Sequence, residues 1–236
     1  MQKDSTDGAM LRRYTDQGYA EELAEIRGRL LVMAGRVEAM IAQSMRSLME
    51  RDGELARGTV ELDHAVNQDE IDLDALCLQL LACRQPMASD LRFVTITMKM
   101  VTDLERIADL AVNVAERAAD LSAQPELSPF IDIPKMGDCV RTMIRDSIDA
   151  FVEKDAEKAR RVLEMDDTVD DLYHKVFRHL LELMQGDSEV VERGIHIQSV
   201  AKFIERMGDH ATNLAEQVIF MLGGEDVRHE GKLDAA

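Results

Sequence analysis

Glu105, Asp109 and Asn113 follow one another at four-residue spacing in the run Glu105-Arg106-Ile107-Ala108-Asp109-Leu110-Ala111-Val112-Asn113. One hundred residues later the chain reads Glu205-Arg206-Met207-Gly208-Asp209-His210-Ala211-Thr212-Asn213. On a helix such spacing puts Glu, Asp and Asn along one side, with successive carboxylates ~6 Å apart. Like charges at this spacing oppose a helix by ~0.2–0.5 kcal/mol per pair. A row written twice in register therefore points to something cationic. Carboxylate oxygens with an amide as supplement suit hard cations, and also iron or manganese. One helix cannot close a ligand shell, and Asp63 and Asp166, at equivalent places in the two halves, are the candidates to complete it. Several carboxylates without His or Cys favour oxygen-bridged clusters over a lone tetrahedral zinc. Glu116 and Glu216 continue each run but turn off the row.

Other chemistries find less support. Glu61-x-x-His64 has the spacing of a ferritin-like di-iron ligand pair, but its counterpart, Glu164-x-x-Asp167, lacks the His. The sequence has no GxxxxGK(S/T) phosphate loop and no GxGxxG, HExxH or GxSxG motif. The six His are scattered, and His210 is the one placed to approach a metal. A non-enzymatic binding protein is expected. The plain alternative is a metal-free helical scaffold whose carboxylates face solvent, balanced by Arg106, Arg206 and nearby Lys.

The elements that position these rows are long helices. Leu23, Ile26, Leu30, Met33, Val37, Met40, Ser44 and Leu48 make a bundle-type stripe from Tyr19 onward. Arg51-Asp52-Gly53 breaks it, and a second helix is expected from Glu54 to Cys83 through Leu55, Val60, Leu62, Val66, Ile71, Leu76 and Leu80. Pro86 separates it from a third, through Leu91, Val94, Met98, Val101, Leu104, Ala108, Ala111 and Ala115. Residues 122–137 hold three of the four prolines and read as a linker. Then the pattern restarts. Met40, Ser44, Asp52, Ala56, Glu61, Asp63 and Val66 recur as Met143, Ser147, Asp155, Ala159, Glu164, Asp166 and Val169, an offset of 103 that shortens to 100 by the carboxylate motif.

Composition agrees. Aromatics are 4% with no Trp, while 15 Met join Leu and Ala in the core; that suits helix packing on helix. With 13 Gly and 4 Pro there are few turn formers for sheets. The fold expected is all-α: two pseudo-symmetric three-helix bundles, six long helices from an internal duplication. The expected divisions are a flexible tail over 1–18, a first repeat over 19–122, a linker over 123–137, a second repeat over 138–223 and a polar tail over 224–236. A net charge of −18 argues against nucleic acid and against electrostatic adhesion to anionic lipid. Cys77, Cys83 and Cys139 lack CxxC spacing and read as buried reduced thiols. A polar N-terminus and the lack of a long apolar run lead to the expectation of a cytoplasmic protein.

The paired Glu-Arg-x-x-Asp motifs, the segment Arg84-Gln85-Pro86-Met87-Ala88-Ser89-Asp90-Leu91-Arg92 and the tail Val227-Arg228-His229 resemble the PhoU family of phosphate-uptake regulators. The resemblance covers about residues 19–230; the second half lacks the Gln-Pro segment, and Ala108 stands where the family more often has Gly. It implies multinuclear metal clusters on the motifs, which would make Glu105, Asp109, Glu205 and Asp209 ligands and Asn113 and Asn213 supplements. Iron is the first choice, with manganese, magnesium or zinc as alternatives. It also implies a cytoplasmic homodimer that bridges subunits of a phosphate ABC transporter to a sensor histidine kinase. Such a protein would be a negative regulator of phosphate uptake and the starvation response, near the membrane only through its partners.

Overall fold

A computed structural model describes residues 4–127 and 132–224, with side chains from residue 17 onward. Its helices are α1 (Asp4–Glu50), α2 (Gly53–Arg84), α3 (Ala88–Ser122), α4 (Ile133–Glu153), α5 (Ala156–Gly186) and α6 (Val191–Gly223), with one 3₁₀ turn, Ser188–Val190, before α6. α1, α2 and α3 pack on one another, as do α4, α5 and α6. The bundles meet along α3 with α6 and α1 with α4, so α2 and α5 are the outer helices. The expected pair of three-helix bundles is what the chain forms.

The duplication is visible in matched details. Asp52 and Asp155 both cap a helix, each Oδ1 accepting from two backbone N–H groups at 2.9 and 3.0 Å: Glu54 and Leu55, and Glu157 and Lys158. Before each cap the chain turns through the left-handed region, at Arg51 (φ 55°) and Lys154 (φ 58°). Ser44 and Ser147 are fully buried; each hydroxyl donates to a carbonyl of its own helix, and Ser147 also reaches Ala211 O at 3.2 Å. Val66 and Val169 are both buried.

The α1 stripe from Ile26 to Leu48 is buried as its spacing predicts. α2 differs. Val60, Leu62 and Ile71 are exposed, and the residues that enter the core are Ala56, Thr59, Val66, Leu73, Cys77 and Leu80. The apolar residues of α2 are spread round the helix, so its stripe could not be chosen by hydropathy alone. Cys77 is buried, but Cys83 is exposed in the last turn of α2, beyond the core.

Two boundaries move. Residues 4–18, read as a loose tail, belong to α1. Ala9, Met10, Leu11, Arg12 and Arg13 are strong helix formers, and no proline interrupts them. α4 starts at Ile133 instead of after residue 137, because Pro134 falls in the first turn, where its missing N–H is no loss. The tail after Gly224, including Val227-Arg228-His229, lies outside the described residues, as do residues 128–131 of the linker.

Candidate functional site

On α2, Asp63 and Glu70 flank the buried positions Val66 and Leu73, three residues ahead of each, so both carboxylates lean toward α3. There they meet Glu105 and Asp109. The Asp63 carboxyl is pushed up by burial and by the charge of Asp109, and Asn67 offsets this by donating to its Oδ2 at 2.7 Å. Its other oxygen, Oδ1, is buried without a hydrogen-bond partner. Glu70 is raised by burial, then by Asp74 and Asp109. Glu105 is raised by burial, then by Asp109, with Glu70 and Asp63 adding to it. Four carboxylates from two helices thus crowd one another. The nearest counter-charge is exposed Arg106, 3.4 Å from Glu105 and 3.5 Å from Asp109.

The second half repeats the arrangement with α5 and α6. Asp166 is pushed up to about 6 by burial and by Asp170, Asp209, Asp167 and Glu205. Asp209 is raised by partial desolvation and by Glu205. Between those two motif residues sits Gly208, where an added Cβ would lie 3.5 Å from Asp166 Oδ1. That is ordinary contact, so the carboxylate rests against the motif backbone and Ala108 is tolerated at the matching place. Lys202 supplies the counter-charge, donating to both oxygens of Glu205 at 2.6 and 2.7 Å. Arg206 is exposed.

The third member of each row parts company with the first two. Each four-residue step turns the helix ~40° past a full circle, so the Asn lies ~80° round from the Glu. Asn213 consequently faces α3, not α5, and donates to Asp103 Oδ1 at 3.2 Å. His210 Nδ1 lies 2.8 Å from the same oxygen, and Gln217 donates to Oδ2 at 2.6 Å. Asn213 and His210 therefore help to join the two bundles through Asp103. Asn113 is half-buried, but at the 100-residue offset Phe203 replaces Asp103, so no matching carboxylate faces it. Glu116 is exposed beside Arg117, and Glu216 lines a cavity with Lys99 and Gln217. Glu61 and His64 are both exposed, whereas ferritin-like ligands project inward.

Among the described residues, no three acidic, His or Cys side chains are drawn together tightly enough to enclose a metal ion. The donor set nonetheless fits one. Carboxylates raised by mutual repulsion, and a buried oxygen without a donor, are what a site for a hard or oxygen-loving cation requires. Asp63 and Asp166 stand where the sequence places them. Glu70 and Asp170 were missed, although seven and four residues after those aspartates are same-face positions.

The family model described as "PhoU domain" matches residues 30–118 and again 133–218. A curated relative from Pseudomonas putida, a "phosphate-specific transport system accessory protein PhoU homolog", is 40% identical over 223 residues, spanning 94% of this chain and 87% of that protein. The crystal structure of PhoU from Pseudomonas aeruginosa superposes with a TM-score of 0.85 at 38% identity, covering 88% of this chain and 100% of that one. The phosphate transport system regulatory protein PhoU from Streptococcus pneumoniae gives 0.83 at 28% identity, covering 89% and 99%.

Proposed function

The chain belongs to the PhoU family, and on that premise we propose that it is a non-enzymatic regulator of phosphate uptake that binds metal. Its partners would be subunits of a phosphate ABC transporter and a sensor histidine kinase. As a cytoplasmic homodimer it would hold the starvation response off when phosphate is plentiful. The relatives' names support the transport link, and that no helix among the described residues is long and apolar enough to cross a membrane agrees with a peripheral role.

The observation that carries the metal-binding reading is the matched pair of inter-helix carboxylate clusters, with Asp63 Oδ1 buried and unpartnered. Asp63, Glu70, Glu105 and Asp109 would hold one metal group; Asp166, Asp170, Glu205 and Asp209 would hold the other. The family resemblance puts iron first; oxygen-only donors accommodate it and suit manganese or magnesium as well, with zinc a further alternative. A bound cation would relieve the repulsion inside each cluster and tie an outer helix to an inner one.

Elemental mass spectrometry on protein purified without tag or chelator tests this. Glu105→Ala/Asp109→Ala and Glu205→Ala/Asp209→Ala should each remove about half of the metal. A starvation-response reporter in cells lacking the protein should be silenced at high phosphate by the wild type and released by each variant. Equal, negligible metal in all three proteins would favour the metal-free scaffold, in which Arg106 and Lys202 are the only counter-charges the carboxylates need.

A further inference from the structure

At the opposite end of α3 from its C-terminus lies a cavity of about 220 Å³, where the two bundles meet. Arg27 of α1, Arg92 of α3 and Lys154 after α4 all line it, with Ser89, Asp90, Phe93, Phe151 and the end of α6. In a chain of net charge −18, this wall carries three cations against one carboxylate. None of the three cations makes an ion pair among the described residues, while Asp90 already accepts from Tyr19 at 2.9 Å. The Nε atoms of Arg27 and Arg92 are buried without acceptors. Phe93 supports Arg27 from beneath, its ring centroid 5.4 Å from the guanidinium carbon.

Two further features point the same way. α3 begins here without a side-chain cap on Met87, leaving first-turn N–H groups available beside Ser89. Such an N-terminus with basic side chains around it is disposed to receive an anion. Duplication supplies an internal comparison. Arg51 spends its guanidinium on the C-terminal carbonyls of α3, Leu121 and Ser122 among them. Its equivalent at the 103-residue offset, Lys154, stands at the end of α6 with no such bond and lines the cavity instead. Arg92 becomes Glu192 in the second half, so that half has no matching cationic wall.

We propose that Arg27, Arg92, Lys154 and the uncapped N-terminus of α3 form a binding site for one inorganic phosphate per chain. The cavity is below the ~300–1,000 Å³ that drug-sized ligands occupy, which fits a small oxyanion better than a nucleotide. Arg presents paired donors matched to phosphate oxygens. Asp90 at the wall favours an anion that still carries a proton, hydrogen phosphate, over sulfate. Bound there, the anion joins α1 and α3 of one bundle to the ends of α4 and α6 of the other. This site lies apart from the carboxylate rows and does not depend on their binding metal.

Calorimetric titration of the full chain, as purified, with inorganic phosphate tests the assignment. The expected result is one saturable site per chain, weakened at least tenfold in Arg92→Gln and in Lys154→Gln. Lys154 is exposed, so its replacement leaves the fold intact, and circular dichroism checks both variants. Asp63→Asn/Asp166→Asn protein should bind phosphate as the wild type does. If that variant loses binding while Lys154→Gln keeps it, phosphate is held by metal at the carboxylate rows and the proposal fails. Binding unchanged in both cation variants, or reproduced by chloride at equal ionic strength, also overturns it. Sulfate binding as tight as phosphate overturns the choice of anion.

Discussion

An aspartate held at about 6, as Asp166 is, is ionised at neutral pH only against burial and four neighbouring carboxylates. Its folded value lies above the ordinary 3.8, so the native chain holds the proton more tightly than the unfolded chain does. The resulting penalty is absent below ~pH 4 and grows as pH rises through ~6. Asp63, Glu70, Glu105 and Asp209 shift in the same direction. Metal-free protein should therefore melt higher at ~pH 5 than at ~pH 7, and Asp166→Asn should raise the melting temperature at ~pH 7 by a few degrees; thermal unfolding in chelator reads both. Metal-loaded protein should show the opposite trend, since protons compete for the ligands. Lys202 occupies both oxygens of Glu205. An exposed pair is worth ~0.2–1 kcal/mol, so Lys202→Met should strengthen metal binding in the second half by roughly one and a half to fivefold, and leave the first unchanged. Competition titration with a chromophoric chelator measures it. The Glu and Asp of each row could be read from spacing, and so could Asp63 and Asp166 from the repeat. The fate of Asn213 could not, because Asp103 belongs to neither row and reaches it only through the packing of α3 against α6.

Among elements, the buried face of α1 was legible because its stripe keeps one side from Ile26 to Leu48, although its first turns, from Asp4, were not. α2 was not: Ile71 is 62% exposed while the small residue Ala56 is buried, so apolarity misleads and packing partners decide. The repeated Asp52 and Asp155 were visible as a matched pair, and the structure gives them the same task at the start of α2 and α5. Losing an N-cap costs ~1 kcal/mol. Asp52→Ala and Asp155→Ala should each lower stability by about that amount, and together by about twice it, since the two caps share no partners. Urea unfolding checks the sum. Pro134 shows the reverse error: read as a breaker, it starts α4.

At the scale of the molecule, the duplication predicts symmetry, and the structure's departures from it are what join the halves. Asp103 has Phe203 as its counterpart, so the grip of His210, Asn213 and Gln217 on one carboxylate occurs on one side only. Asp103→Ala would leave three partly buried polar groups short of a partner at the bundle interface. A loss of about 2–3 kcal/mol is expected, read as a lower urea midpoint, whereas Phe203→Leu should cost less than half of that. Six helices in two bundles followed from periodicity and the 103-residue offset. Which faces of the bundles meet did not, because α3 and α6 carry apolar residues round more than one face.

The outer position of α2 and α5 has a consequence for how the protein opens. Among the described residues, α2 touches only α1 and α3, and α5 touches only α4, α6 and the short turn before α6. Each outer helix can therefore peel away without disturbing the junction between bundles, and carboxylate repulsion pushes it in that direction. A cation shared with α3 or α6, as proposed above, would act as a latch on that door. Backbone amide exchange in α2 and α5 should slow on metal loading by tenfold or more, while the facing surfaces of α3 and α6 hold their protection throughout.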